Sequence, residues 1–137
     1  MTKTIRRILI VDDEFEFCKT IQRHLKRVDF LIDYDIDGTK AYKKVQNSFK
    51  TGIPFDLMII DISMLLNDGI GISQMIINNY SSISILFITA CSDFDLVKKI
   101  FRPNMDEHCK KPLTPKKMIK LIDNIDQKRK SLFNNTK

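Results

Sequence analysis

Little in these 137 residues punctuates or staples the chain: there is no Trp, and only 4 Gly, 4 Pro and 3 Cys. So little Gly and Pro, beside 43% hydrophobic and 29% charged residues, excludes a collagen-like, low-complexity or disordered chain. Cys18, Cys91 and Cys109 are odd in number and scattered, with no CxxC or Cys/His zinc spacing. A disulfide framework and a zinc site are therefore not expected, and each Cys reads as a packing residue or an ordinary thiol. No apolar run approaches the ~18 residues of a membrane span; the longest, at 57–60 and 83–88, are strand-sized. The basic N-terminus is followed only by the apolar residues 8–11 before Asp12-Asp13 interrupts, which is too short for a secretory signal. The expectation is a soluble, cytoplasmic chain. No GxxxxGK[ST] loop occurs, and Gly69-Ile70-Gly71 lacks the rest of a dinucleotide fingerprint, so nucleotide hydrolysis is not indicated.

At this length the chain suits one compact domain with a packed core. The net charge of +6 is unevenly placed. Residues 1–69 hold 11 Lys/Arg against 11 Asp/Glu, whereas residues 70–137 hold 12 against 6. The whole basic excess lies in the second half.

Ile8-Leu9-Ile10-Val11 reads as a strand buried on both faces. The spacing of Phe15, Cys18, Ile21, Leu25 and Val28 predicts a helix over about 14–27. Residues 30–36 suggest a second strand, and Asp37 or Thr39 caps the next helix, which Gly52 and Pro54 close. Residues 55–60 form the clearest buried strand, ending at Asp61. A loop through Asn67-Asp68-Gly69 leads to a helix of about 70–79, and 84–89 is a fourth buried strand. Phe94, Val97, Ile100 and Phe101 predict a short helix stopped by Pro103. A weak, polar strand near 107–110 follows. Thr114 then caps a last helix with Pro115 in its first turn and Met118, Ile119, Ile122 and Ile125 along its stripe. Five β-α repeats with strands apolar throughout imply an α/β fold, a parallel sheet covered on both faces. A single domain over 1–130 is expected, with 131–137 a polar basic tail, disordered or opening a linker.

In open α/β sheets, ligands bind beyond the carboxyl ends of the strands. There the chain places Asp12-Asp13, Asp61, Thr89-Ala90 and Lys110-Lys111-Pro112. Three converging carboxylates repel one another, and a divalent cation resolves the conflict. Oxygen donors alone suit Mg²⁺. Beside such a cation Asp61 could act as a nucleophile toward a phosphoryl donor, with Thr89 and Lys111 on the phosphoryl oxygens. Any one Asp here reads equally well as a helix cap; the joint pattern is what is specific.

That pattern resembles the receiver domain of two-component response regulators, of the chemotaxis type. The matching residues are Asp12-Asp13, Asp61 with Met64 and Gly69 after it, Thr89-Ala90 and Lys111-Pro112, and the resemblance spans about residues 5–127. It implies a flavodoxin-like, doubly wound (βα)5 sheet in the order 2-1-3-4-5, with helices on both faces. It also implies that Asp61 is the phosphoacceptor, served by a phosphohistidine of a sensor kinase or phosphotransfer protein in a phosphorelay. Asp12, Asp13, Asp61 and the backbone carbonyl of Ser63 would hold Mg²⁺, with Mn²⁺ as a substitute. Lys111 and Thr89 would contact the phosphoryl group. The protein would then be a signalling phosphoacceptor that catalyses only its own phosphorylation and dephosphorylation.

In the family a ring three residues before the Lys rotates with the Thr; here that position is His108. Leu65 stands where Pro is common after the loop Met, and Pro103-Asn104 where Gly-Ala is usual. Ser63 and Cys91 flank the phosphoryl site, and both are small. The basic residues Lys98, Lys99, Arg102, Lys110, Lys116, Lys117 and Lys120 fall in the last α-β-α segment, the face receivers use for output or dimerisation. The expected partners are an acidic downstream protein there, or a second copy as a homodimer. Neither nucleic acid nor membrane is expected. Three alternatives stay open: a receiver module cut from a longer regulator or hybrid kinase, a phosphorylation-independent scaffold, and an Asp-nucleophile phosphatase. The last normally needs a second Asp where Ser63 stands.

Overall fold

The computed structural model describes residues 4–26, 29–63, 69–89 and 94–134. Strands and helices alternate throughout: β1 (Arg7–Val11), α1 (Phe15–Lys26), β2 (Leu31–Asp35), α2 (Gly38–Lys50), β3 (Leu57–Asp61), α3 (Gly69–Asn79), β4 (Ser84–Thr89), α4 (Phe94–Lys98), β5 (Glu107–Lys110) and α5 (Pro115–Asn134). All four strand pairings are parallel, in the order β2-β1-β3-β4-β5. The expected doubly wound architecture is thus observed.

Period-two alternation explains why residues 8–11, 57–60 and 85–88 of the central strands are apolar on both faces. Ile8 and Ile10 of β1, Leu57 and Ile59 of β3, and Leu86 and Ile88 of β4 face one core, which α1 and α5 close with Cys18, Ile21, Leu25, Met118, Ile122 and Ile125. The intervening residues Leu9, Val11, Met58, Ile60, Ile85 and Phe87 face the other core, under Ala41, Val45, Ile76 and Val97 of α2, α3 and α4. Asp37 is the N-cap of α2: its carboxylate accepts from the Thr39 and Lys40 amides, so the choice between Asp37 and Thr39 falls to Asp37. Gly52 follows the end of that helix at φ 81°, a left-handed value that suits Gly.

Two boundaries differ from the sequence expectation. The fourth helix stops at Lys98, and Ile100 and Phe101 sit in a turn whose amides both bond the Val97 carbonyl. Arg102 ends the helix there. Its amide and guanidinium both bind the fully buried carboxylate of Asp106, and the guanidinium also reaches the Ser81 and Ile83 carbonyls. At the other boundary, residues 131–134 continue α5 instead of forming a tail. Arg129 anchors that end. It is 4% exposed, donates to the Asp56 and Ser82 carbonyls, the Ser84 hydroxyl and the Thr4 hydroxyl, and lies 5.0 Å from the Phe133 ring centre. Both knots lie at the amino end of the sheet, which leaves the carboxyl end open for chemistry.

Candidate functional site

β1 and β3 are neighbours in register, Val11 opposite Ile60, so their ends deliver Asp12, Asp13 and Asp61 to one place. The three carboxylates each offer an oxygen within 4.8 Å of the others. Asp12 is 0% exposed and Asp61 2%, whereas Asp13 opens to solvent.

The two buried carboxylates are held differently. Asp12 uses Oδ1 to accept the Glu14 amide at 2.9 Å, while its buried Oδ2 has no hydrogen-bond partner among the described residues. Burial pushes the Asp12 carboxyl up to about 7; the Glu14 amide pulls the other way, and the neighbouring Asp61 charge adds to the rise. Asp61 accepts from the Ser63 amide (2.9 Å) and hydroxyl (2.5 Å) on Oδ1, and from Lys111 Nζ at 2.6 Å on Oδ2. Lys111 also stands 3.6 Å from Glu14. Burial opposes the Lys111 charge, but the Asp61 hydrogen bond and the charges of Asp12, Asp61 and Glu14 outweigh it and hold its pKa above the ordinary value.

The β4–β5 ladder places Lys111. Its amide donates to the Thr89 carbonyl at 2.9 Å, just beyond the last paired residues, Thr89 and Lys110. Thr89 itself is buried at the end of β4, one residue past Ile88, the partner of Asp61. Its hydroxyl is directed at the Cys109 carbonyl on β5, 3.5 Å away, and not at Asp61. The fold therefore brings Asp12, Asp13, Asp61, Ser63 and Lys111 together, with the Thr89 hydroxyl turned to the Cys109 carbonyl. His108 sits farther down β5, opposite Phe87, half-buried, with its ring edge-on to Phe101 at 5.3 Å. Met64, Leu65, Ala90 and Cys91 lie outside the described residues.

Two contributors, Glu14 and Cys18, were not read from the sequence as parts of the site. Glu14 supplies a second carboxylate to Lys111, and only its position after the Asp pair hinted at this. Cys18 donates its thiol to the Asp12 carbonyl at 3.4 Å. Burial, then the Asp12 charge, pushes that thiol up to about 12, so it stays protonated. Gly69, singled out as a loop match, has a steric reason: a Cβ there would lie 2.6 Å from Ile62 Cα and 3.0 Å from the Asp61 carbonyl oxygen.

Three close carboxylates, one with an orphaned buried oxygen, form an oxygen-only donor set that suits a hard divalent cation. Among the described residues no helix is long and apolar enough to cross a membrane.

Comparison with known proteins agrees with this geometry. The model of the response regulator receiver domain matches residues 8–123. The probable transcriptional regulator ycf27 of Guillardia theta is 30% identical over 85% of this chain and 43% of its own length. The chemotaxis protein CheY of Treponema pallidum is 28% identical over 87% of this chain and 81% of its own. The chain spans less than half the length of the first curated relatives it matches. Among solved structures, a CheY-like receiver domain protein of Methanospirillum hungatei shares the fold. Its TM-score is 0.77 at 18% identity, covering 93% of this chain and 98% of that one. The match extends from β1 into α5, across every strand end that builds the acidic cluster, and the chain belongs to the response regulator receiver domains of two-component signal transduction.

Proposed function

We infer that this receiver is a cytoplasmic phosphoacceptor and that Asp61 carries the phosphoryl group. The observation that carries this reading is the 2.6 Å contact of Lys111 Nζ with Asp61 Oδ2 inside a cluster of three carboxylates. An Asp61 oxygen attacks the phosphorus of a phosphohistidine on a sensor kinase or phosphotransfer protein. The P–O bond forms as the P–N bond breaks, and the imidazole departs with its electron pair. Asp12, Asp13, Asp61 and the Ser63 carbonyl would hold Mg²⁺, which shields the carboxylates and neutralises charge on the transferring oxygens. Lys111, already at the acceptor, takes the phosphoryl charge when Asp61 gives up its own. The Ser63 hydroxyl and amide orient the acceptor through Oδ1. Thr89 would release the Cys109 carbonyl and turn to the phosphoryl group, and His108 would follow it, altering the α4-β5-α5 face.

On that face Lys116, Lys117 and Lys120 line a groove of about 580 Å³ with Thr114, Leu121 and Asn124. Cationic walls over an apolar Leu121 suit an acidic protein partner, with an on-rate that falls as salt rises. The greater length of the curated relatives favours a second reading for the output, a receiver acting as one module of a longer regulator.

Incubation with Mg²⁺ and acetyl phosphate, followed by intact mass measurement, tests the central reaction. One phosphoryl group is expected, absent with EDTA and absent in Asp61→Asn. Equal labelling of the Asp61→Asn variant would place the acceptor elsewhere and overturn the reading.

A further inference from the structure

Among the described residues the sheet ends on one side at β2, with no strand beyond it. An open strand edge is a template for another strand. The pairing with β1 shows which groups face outward. The Leu31 amide donates to the Arg6 carbonyl at 2.8 Å, and the Asp35 carbonyl accepts the Asp12 amide at 3.2 Å. Alternate residues of a parallel strand turn to the same side. Leu31, Asp33 and Asp35 therefore face β1, and Ile32 and Tyr34 direct their backbone groups outward.

Side chains meet those outward groups. Gln22 Nε2 of α1 donates to the Ile32 carbonyl at 3.4 Å. Lys44 Nζ of α2 donates to the Tyr34 carbonyl at 2.7 Å. The Tyr34 amide donates to the Asp33 carboxylate at 2.7 Å. Lys44 is itself held by Asp33 at 3.1 Å and Asp35 at 3.4 Å. The covers thus arrive from both faces of the sheet and meet over its edge.

The surroundings favour pairing in their absence. Leu31 is 63% exposed and Ile53 58%, and both line a hollow of about 790 Å³ beside the edge. Ile32 and Tyr34 are residues that strands prefer. An antiparallel match about Asp33 would set Ile32 of each copy against Tyr34 of the other, a matched apolar pair. It would also set the two Asp33 carboxylates against each other, so this residue opposes pairing by charge as well as by covering an amide.

We propose that Gln22, Asp33 and Lys44 close the β2 edge against a second copy of this chain, and that removing them turns it into a self-pairing surface. The opened variant is Gln22→Leu with Asp33→Thr and Lys44→Met, which leaves Asp61, Lys111 and the net charge unchanged. Sedimentation equilibrium is expected to show self-association tighter by about tenfold or more, the scale of a few freed backbone hydrogen bonds. Hydrogen exchange should show new, concentration-dependent protection of the Ile32 and Tyr34 amides. Lys43→Met, at an exposed α2 position, should match the parent. A folded opened variant that associates no more than the parent would overturn the proposal. So would association without protection at Ile32 and Tyr34, or equal association by Lys43→Met. If the triple variant does not fold, Lys44→Met alone gives the same test, with a few-fold tightening expected and parent-like association refuting it.

Discussion

Asp12→Asn isolates the cost of burying a carboxylate at this site. In the folded protein Asp12 holds its proton until about pH 7, against an ordinary value of 3.8, chiefly because it is fully buried. The unfolded chain gives its proton up near 3.8. Between those values the folded state binds more protons than the unfolded one, so stability falls as pH rises. The loss begins near pH 4 and is complete a little above pH 7. At 1.36 kcal/mol per pKa unit, the shift corresponds to about 4 kcal/mol. Asn keeps an oxygen for the Glu14 amide and replaces the orphaned Oδ2 with a neutral amide nitrogen. Urea unfolding of parent and variant in EDTA, from pH 3.5 to 8, measures the difference. The two should be nearly equal at pH 3.5, and the variant should lead by about 4 kcal/mol at pH 8. Saturating Mg²⁺ should restore the parent above pH 7 and leave the variant much less affected. A stability difference that does not change with pH between 4 and 7 would refute the reasoning.

Two further substitutions probe the scaffold. Asp106→Ala strips the Arg102 guanidinium and the Ile85 amide of a fully buried acceptor; denaturant unfolding should show a loss of about 3–5 kcal/mol, as for a broken buried pair. Gly69→Ala drives a methyl into Ile62 Cα, so it should cost roughly 1–3 kcal/mol and slow acetyl phosphate labelling of Asp61 by displacing the β3 end, both measurable on one preparation.

The central strands were readable because each lies between two apolar cores, which makes residues 8–11, 57–60 and 85–88 hydrophobic on both faces whatever the details of packing. The ends of β1 and β3 were readable because each apolar run breaks at an acidic residue, Asp12 just past β1 and Asp61 the last of β3, although both carboxylates are themselves buried. α4 was misjudged because Ile100 and Phe101 keep a helical spacing, while the Arg102–Asp106 ion pair, which no periodicity reveals, ends the helix earlier. The end of α5 was misjudged because Arg129, polar by type, is used as a buried anchor against Asp56, Ser82 and Ser84.

At the site, residue types and their order along the chain were determined by the sequence alone, and they suffice to state the family and the donor chemistry. What only the tertiary structure decided is which atoms meet. Residues 12, 61 and 111 are far apart in the chain; the parallel sheet brings their strand ends together, and the packing there sets Lys111 on Asp61, leaves Asp12 Oδ2 without a partner among the described residues, and turns the Thr89 hydroxyl to Cys109. The protonation of Asp12 belongs to the same category. It depends on how much water burial removes and which charges burial brings near, and neither quantity exists until the chain has folded.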